Sequence, residues 1–465
     1  MLINHQPSTI NYQPSTMINQ LRKKHPRLLY QKYNYQIVEQ QLRVTFKFFL
    51  EPDITFRPAV VIPIDRKLEI KQLENYIFHL GLIELISYWK ATCSPEIIID
   101  AGYINQEQID WLHDLFIYGL GEFYYTNNLD FTAQDFLTIT CSTTATTSHN
   151  LLPNNKNNGD LILVAGGKDS SVTLEILKES PNRKGTLILN PTRAAIDSIK
   201  IAGYQPPLIV KRTIDPLLIE LNQAGYLNGH TPFSAYLAFL GTLIADLYGY
   251  ENVIASNENS ADEQNTIFHE LQINHQYSKG FRFETRFREY CGKYLTSSVN
   301  YFSFLRPLLD LQIAKIFAQF TSHHLSFRSC NVNQKKDSWC RKCPKCAFVY
   351  LSLFNFLPYE HTIDIFGEDL YLKPEIQTAF KAVAGIGTHK PFECVGTVEE
   401  SRLALAMSSQ KYQAMNQAIP DIIELANQEI SQAHKFLSWQ KILNQWSEHH
   451  YLPPEHENLL RKNLN

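Results

Sequence analysis

"LILVAGGKDSSVTLEIL", residues 161–177, runs an apolar stretch into Gly-Gly-Lys-Asp-Ser-Ser and then resumes an apolar helical pattern. Leu161 to Val164 suit a buried parallel strand. Val172, Leu174, Ile176 and Leu177 continue at spacing compatible with a helix, so the glycines fall at a strand-to-helix junction. Gly166 and Gly167 let the backbone approach an anion, and the helix start offers unpaired N–H groups at the positive end of its dipole. Lys168 adds a mobile cation, Ser170 and Ser171 add hydroxyls, and Asp169 adds a carboxylate able to reach magnesium. The stretch reads as a phosphate cradle.

Neither the GxxxxGK[ST] nor the GxGxxG spacing is present. The loop resembles the PP-loop of ATP pyrophosphatases, whose pattern is SGGxDS, with Ala165 where that pattern has serine. A Gly-Gly turn between strand and helix also occurs in α/β proteins without any ligand.

Outward from the loop, strand and helix patterns alternate. Strand 161–164 and helix 169–178 are followed by "TLILN", a helix near 192–201, "PLIVKR", helices through 247, and "NVIASN". Such alternation specifies a parallel sheet with helices on both faces and ligands at the carboxyl ends of its strands. The loop, Asn190 after "TLIL", and "SNENSADEQN" after "NVIA" all emerge at that edge. The predicted fold class is α/β: a parallel-sheet PP-loop core of the HUP-like kind, an N-terminal α+β domain, and a C-terminal cysteine-cluster and helical region. The expected divisions are a disordered extension at 1–29, the α+β domain at 30–150, the ATP-binding domain at 155–325, the cysteine cluster and catalytic region at 326–420, and a helical tail at 421–465. "HNLLPNNKNNGD" reads as the linker between the first two domains.

At 465 residues the chain exceeds one ordinary core. Its 43 basic and 46 acidic residues leave a net charge of −3, which does not favour nucleic acid as a partner. No run approaches the roughly 20 apolar residues of a membrane span, and the N-terminus lacks an apolar signal core, so a cytoplasmic protein is expected.

Four of the eight cysteines, Cys330, Cys340, Cys343 and Cys346, follow the spacing C-x9-C-x2-C-x2-C. Four thiolates are the ligand set of a structural tetrahedral zinc, and two-residue gaps let sulfurs converge on one ion. An iron–sulfur cluster uses similar triplets, and free buried thiols or a redox pair are the remaining readings. A PP-loop followed by such a set is similar to the 7-cyano-7-deazaguanine synthases. That small family explains neither the 150 residues before the α/β unit nor the hundred after the cysteines.

A wider resemblance rests on "NGHTPFSAYLAFLGTLIADLYGYENVIASNENSADEQN", "INHQYSKGFRFE", "SCNVNQKKDSWCRKCPKCAFVYL" and "GIGTHKPFECVGTVEESRLAL" together with the loop. Over about residues 35–420 the chain resembles the UDP-N-acetyl-α-D-muramoyl-L-alanyl-L-glutamate epimerases, the MurL family. The resemblance implies an ATP- and magnesium-dependent isomerase of peptidoglycan precursor synthesis. It would invert the terminal L-glutamate of UDP-MurNAc-L-Ala-L-Glu through a carboxyl adenylate, with release of AMP and pyrophosphate. A ligase or nitrile synthase acting on a base, and a nucleotide-binding adaptor without turnover, are the competing expectations.

Inversion needs an acid/base group on each face of the carbon, or one group reaching both. Cofactor-free glutamate racemases generally use cysteines, which directs attention to Cys394, beside Glu393 and near His389 and Lys390; a buried small hydrophobe is the other reading. His230 in "NGHTPFS" suits a phosphate or carboxylate contact, or simple polarity at a helix start. Glu258, Asp262 and Glu263 suit magnesium or a base, and equally a solvated loop. His275, Lys279 and Arg282 suit an anionic substrate, as do Lys335, Lys336, Arg341, Lys342 and Lys345, with surface solvation the alternative. The expected catalytic set is Cys394, His230, Glu258 and Asp169. ATP is expected on Gly166, Gly167, Lys168, Asp169, Ser170, Ser171 and Asn190.

Overall fold

The computed structural model describes residues 15–64, 73–143, 158–387, 389–432 and 438–464. Its thirteen strands among those residues are β1 (Arg27–Val38), β2 (Gln41–Leu50), β3 (Ile54–Phe56), β4 (Ala59–Pro63), β5 (Glu96–Ile99), β6 (Thr138–Cys141) and β7 (Asp160–Leu163), then β8 (Lys184–Leu189), β9 (Leu208–Thr213), β10 (Asn252–Ala255), β11 (Thr266–Phe268), β12 (Leu271–Ile273) and β13 (Asn300–Ser303). Eleven form one sheet in the order β13-β10-β7-β8-β9-β4-β2-β1-β5-β6, with β3 paired to β2, while β11 and β12 form a hairpin.

The half β13-β10-β7-β8-β9 is parallel throughout, as the alternating pattern predicts. Each connection carries a helix: Lys168–Leu177, Arg193–Ile201, Phe233–Tyr248 and Phe281–Tyr294. The sheet then continues through an antiparallel joint, Ala59 to Val61 of β4 against Lys211 to Thr213 of β9. The N-terminal segment thus extends the parallel sheet. It contributes antiparallel β4, β2 and β1, then parallel β5 and β6.

The period of two along each parallel strand divides the core. Leu161, Leu187, Val253 and Tyr301 join one buried cluster, with the helices Glu74–Trp89 and Phe233–Tyr248. Their neighbours Ile162, Ile188, Ile254 and Phe302 join the opposite cluster, with the helix Pro344–Phe354 and the C-terminal region. N-terminal and C-terminal regions therefore cover opposite faces of one sheet.

One expectation changes. Disorder over 1–29 fails from residue 15 onward: Ser15–Lys24 is a helix and β1 begins at Arg27, while residues 1–14 lie outside the described residues. Ile18 and Leu21, three apart on that helix, are buried, and Arg22 donates to the Phe136 carbonyl at 2.8 Å with its guanidinium 4.5 Å from the Phe136 ring centre. The linker reading falls on residues 149–160, of which 149–157 lie outside the described residues. The tail contains helices Asp421–Gln432, Trp439–Leu443 and Pro454–Lys462. From the last of these, His456 Nε2 reaches the buried carboxylate of Asp160 at the start of β7, 3.2 Å away. No helix among the described residues is long and apolar enough to cross a membrane.

Candidate active site

β7 ends at Leu163, and the chain turns through Gly166 into the helix Lys168–Leu177. Gly166 has φ +82°, and a Cβ there would stand 2.3 Å from the Ala195 nitrogen, so only glycine fits. Gly167 is the N-cap without any side-chain cap, which leaves the helix start to a ligand. The Ser170 hydroxyl accepts from Gly166 N–H at 3.2 Å. A second segment lies on the loop: Arg328 N–H donates to the Gly166 carbonyl (2.9 Å), Ser329 Oγ accepts from Lys168 N–H (3.3 Å), and Gln334 Nε2 donates to the Ala165 carbonyl (3.1 Å). Ser329 thus brings a hydroxyl to a loop that Ala165 leaves one short.

Lys168 is pinned rather than mobile. Its side chain is 1% exposed, with Nζ bonded to Asp169 and, at 2.6 Å, to the fully buried Asp310. Burial alone would depress the ammonium, and the two carboxylates outweigh it and hold it charged. Asp310 Oδ2 is buried with no hydrogen-bond partner. Burial works against the charge on Asp169 too, and Lys168, Lys345 and Lys279 hold its carboxyl below the usual range. Asn190, at φ +53°, donates to the Arg212 carbonyl and accepts from the Arg212 N–H, both at 2.9 Å. Its side chain clips β8 to β9. Ser171 Oγ is turned to the Gly167 carbonyl at 3.1 Å.

Cys394 is half-buried, and its Sγ lies 3.8 Å from His275 Nε2. His275 Nδ1 meets Glu122 Oε2 at 2.5 Å. His230 Nδ1 stands 3.4 Å from the same oxygen, its ring centre 4.3 Å from that of His275. Asn265 ties the arrangement together, accepting from His275 N–H (2.8 Å) and donating to the Pro391 carbonyl (2.7 Å) in the loop that carries the thiol. Burial would discharge both groups of the pair. Instead the Glu122 carboxylate and the thiol raise His275 to about 10, and Lys279, His275 and Lys345 hold Cys394 well below the usual thiol range. Both shifts favour the imidazolium and thiolate forms of the pair.

Between loop and thiol lies Glu258, after β10. Burial raises its carboxyl to about 7, against the pull of Lys279 and with the push of Asp169 and Asp310. Fully buried Arg306 fixes this corner, donating to the Glu258 carbonyl at 2.7 Å and to the Lys279 carbonyl, and pairing with Glu284 at 3.2 Å. Lys279 and Lys345 thus act on both Asp169 and Cys394.

The four clustered cysteines converge, their sulfurs all within 4.8 Å of one another and Cys340 3.7 Å from Cys346. Zinc–sulfur bonds of about 2.3 Å in a tetrahedron set sulfurs about 3.8 Å apart, so the set fits such an ion. Backbone N–H groups of Asn333 and Cys340 donate to Cys330 Sγ at 3.3 Å. The cluster anchors both ends of the site: Ser329 precedes Cys330, and Lys345, between two of the cysteines, donates to the Cys394 carbonyl.

Other candidates are engaged elsewhere. Arg282 lies on Asp114 and over the Tyr118 ring at 3.9 Å. Glu263 pairs with Lys390 at 2.8 Å, and Asp262 accepts from Phe281 N–H at 2.8 Å. Lys335, Lys336 and Lys342 are exposed, and Arg341 pairs with Glu368 at 3.3 Å. Sequence reasoning missed Glu122 and Asp310. The available signal was an acid inside an apolar run, in "FIYGLGEFYY" and "RPLLDLQIA".

Residues 19–304 match the family model of the MurL N-terminal domain, and residues 320–437 that of the MurL C-terminal domain. A UDP-N-acetyl-α-D-muramoyl-L-alanyl-L-glutamate epimerase of Salinispora tropica is 40% identical over 255 residues, 54% of this chain and 56% of that protein. Proteins of the same name from Xanthomonas oryzae pv. oryzae and a Micromonospora species are each 33% identical. They align over 346 and 359 residues, 73% and 76% of this chain and 76% and 77% of theirs. No solved structure matches the chain.

Proposed function

The chain belongs to the MurL family, and on that premise we propose that it inverts the terminal L-glutamate of UDP-MurNAc-L-Ala-L-Glu at the expense of ATP. The observation that carries the reading is the sharing of Lys279 and Lys345 between Asp169 of the phosphate loop and the thiolate of Cys394. It supports a reading in which a group for activating a carboxylate works beside a group for moving a proton.

The chemistry needs both. The α-hydrogen of a carboxylate is barely acidic, because its loss sets two negative charges side by side. Transfer of the carboxylate oxygen onto the α-phosphorus of ATP expels pyrophosphate and removes one of those charges. The loop N–H groups grip the phosphates, Lys168 holds Asp169 and Asp310 in place, and Lys279 and Lys345 offset charge developing on the activated glutamate. Cys394 and Glu258 are the groups at hand for taking and returning the α-proton, one a thiolate, the other near neutrality in its affinity for a proton. Water then cleaves the adenylate to AMP. Asp169 and Asp310, whose Oδ2 lacks a partner, would hold magnesium, which neutralises phosphate charge. The four cysteines would hold a structural zinc.

Relatives that match over most of both regions carry the epimerase name, and this speaks against the nitrile-synthase and adaptor readings. The test is AMP formation with UDP-MurNAc-L-Ala-L-Glu against UDP-MurNAc-L-Ala, with deuterium uptake at the glutamate Cα in deuterated water. Uptake only with ATP and magnesium is expected, and exchange without ATP would refute the adenylate scheme. Metal analysis should find about one zinc per chain, lost in Cys343→Ser. Iron and sulfide would overturn that assignment.

A further inference from the structure

We propose that Glu122, from the N-terminal part of the chain, is a positioning residue that holds His275 as a cation against Cys394 and thereby keeps the thiol ionised. The proposal rests on the reading above, in which Cys394 moves the α-proton. Its own footing is geometric. Glu122 Oε2, His275 and Cys394 Sγ form a line of 2.5 Å and 3.8 Å steps through the two nitrogens of one ring. The short bond to Nδ1 fixes which face of the imidazole meets the sulfur, the role a carboxylate plays behind a histidine in thiol and serine catalysis. Glu122 lies on the short helix Gly121–Thr126 and is 9% exposed. A carboxylate so placed costs free energy unless paired, and His275 is its nearest partner.

The groups facing this line are few. Behind Glu122 stand His230 at 3.4 Å and the buried Lys90, whose ammonium donates to the Gly229 carbonyl and is drawn down to about 7 by burial. Around the thiol stand Lys279, Lys345 and Glu393. Lys279 acts on Cys394 as well as on Asp169, and His275 is the cation beside the thiol whose other ring nitrogen is held by a carboxylate, that of Glu122.

The experiment follows iodoacetamide alkylation of Cys394 across pH in the zinc-loaded protein, read by mass spectrometry of the peptide that carries it. Glu122→Gln should raise the midpoint of that profile by about one pH unit or more, the scale of losing one close opposite charge. Glu122→Asp should restore most of the shift. The acidic limb of deuterium uptake should move in parallel, with AMP release at saturating substrate within about twofold of the parent. An unmoved midpoint in a folded Glu122→Gln protein overturns the proposal and leaves the epimerase reading standing. Should that variant not fold, His275→Gln must give the same shift, and its failure to do so overturns the proposal equally. A second zinc per chain that disappears with Glu122→Gln would also overturn it, making Glu122 a ligand instead. If the midpoint moves while deuterium uptake does not, the control of the thiol stands and the assignment of Cys394 as the proton-moving group falls.

Discussion

The phosphate loop and the thiol line share two lysines, yet the chain builds them in opposite ways. Six consecutive residues, Gly166 to Ser171, form the loop at the end of a strand and the start of a helix, and Arg328, Ser329 and Gln334 bond onto it. The thiol line joins Glu122, His230, His275 and Cys394, from four separated segments, and only tertiary structure brings them together. In the proposed reaction the loop binds through backbone geometry, which local sequence sets. The thiol works through charge, which neighbours set. A substitution in the loop should therefore damage one step directly, whereas the thiol's reactivity can be changed at Glu122, by way of His275.

The largest effect expected from this contrast is a separation of the two steps. Cys394→Ser should cut deuterium uptake about 10³-fold, within the usual reach of acid/base catalysis, while part of the AMP release persists through hydrolysis of unepimerised adenylate. Full inversion by this variant would erase the thiol end of the comparison and turn attention to Glu258 and His230. Next, Lys168→Ala or Asp169→Asn should lower pyrophosphate release about 10²-fold or more and drag deuterium uptake down with it, because activation comes first. Inversion that survives the loss of pyrophosphate release would show the two ends to be independent.

A smaller effect concerns stability between the two ends. The folded chain keeps the Glu258 proton up to about pH 7, whereas an ordinary carboxyl releases it near 4.5. Stability from this group is thus fully present below about 4.5, declines as pH rises toward 7, and stays at its lower level above. Glu258→Gln should stabilise the ligand-free protein near pH 8 by on the order of 2 kcal/mol and do nothing at about pH 4, as read by urea unfolding. An equal gain at both pH values would show that the carboxyl titrates normally. The smallest belongs to Asn190: removing its two bonds to Arg212 in Asn190→Ala should cost about 1 kcal/mol and leave the KM for ATP alone. A raised KM at unchanged stability would return Asn190 to the nucleotide.

What the sequence made legible follows the same divide. The loop, the four cysteines and the parallel strands declare themselves through local spacing, since period two and Gly-Gly junctions are properties of a few adjacent residues. Cys394 and His230 entered through family resemblance, and the structure joins them only by way of Glu122 and His275. Glu122 and Asp310 were hidden because an acid in an apolar run takes its meaning from a partner, here His275 153 residues away and Lys168 142 residues away. The helix Ser15–Lys24 was passed over because its apolar pair is short and set among polar residues that suggest disorder. The joint between β4 and β9 had no local signature either, for strand pairing across 150 residues leaves none in the pattern of either strand.

The clasp between His456 and Asp160 bears on how the molecule is made. Synthesis delivers Asp160 296 residues before the imidazole that partners it, and Asp160 begins the strand that carries the loop. A nascent chain can lay down the loop, the four cysteines and Cys394 while β7 still begins in a carboxylate without its last partner. Packing of the helix Pro454–Lys462 against the helix Lys168–Leu177 comes at the end of translation. The contact on β7 therefore closes only once residue 456 has been made, and a message truncated short of it yields a protein lacking that clasp.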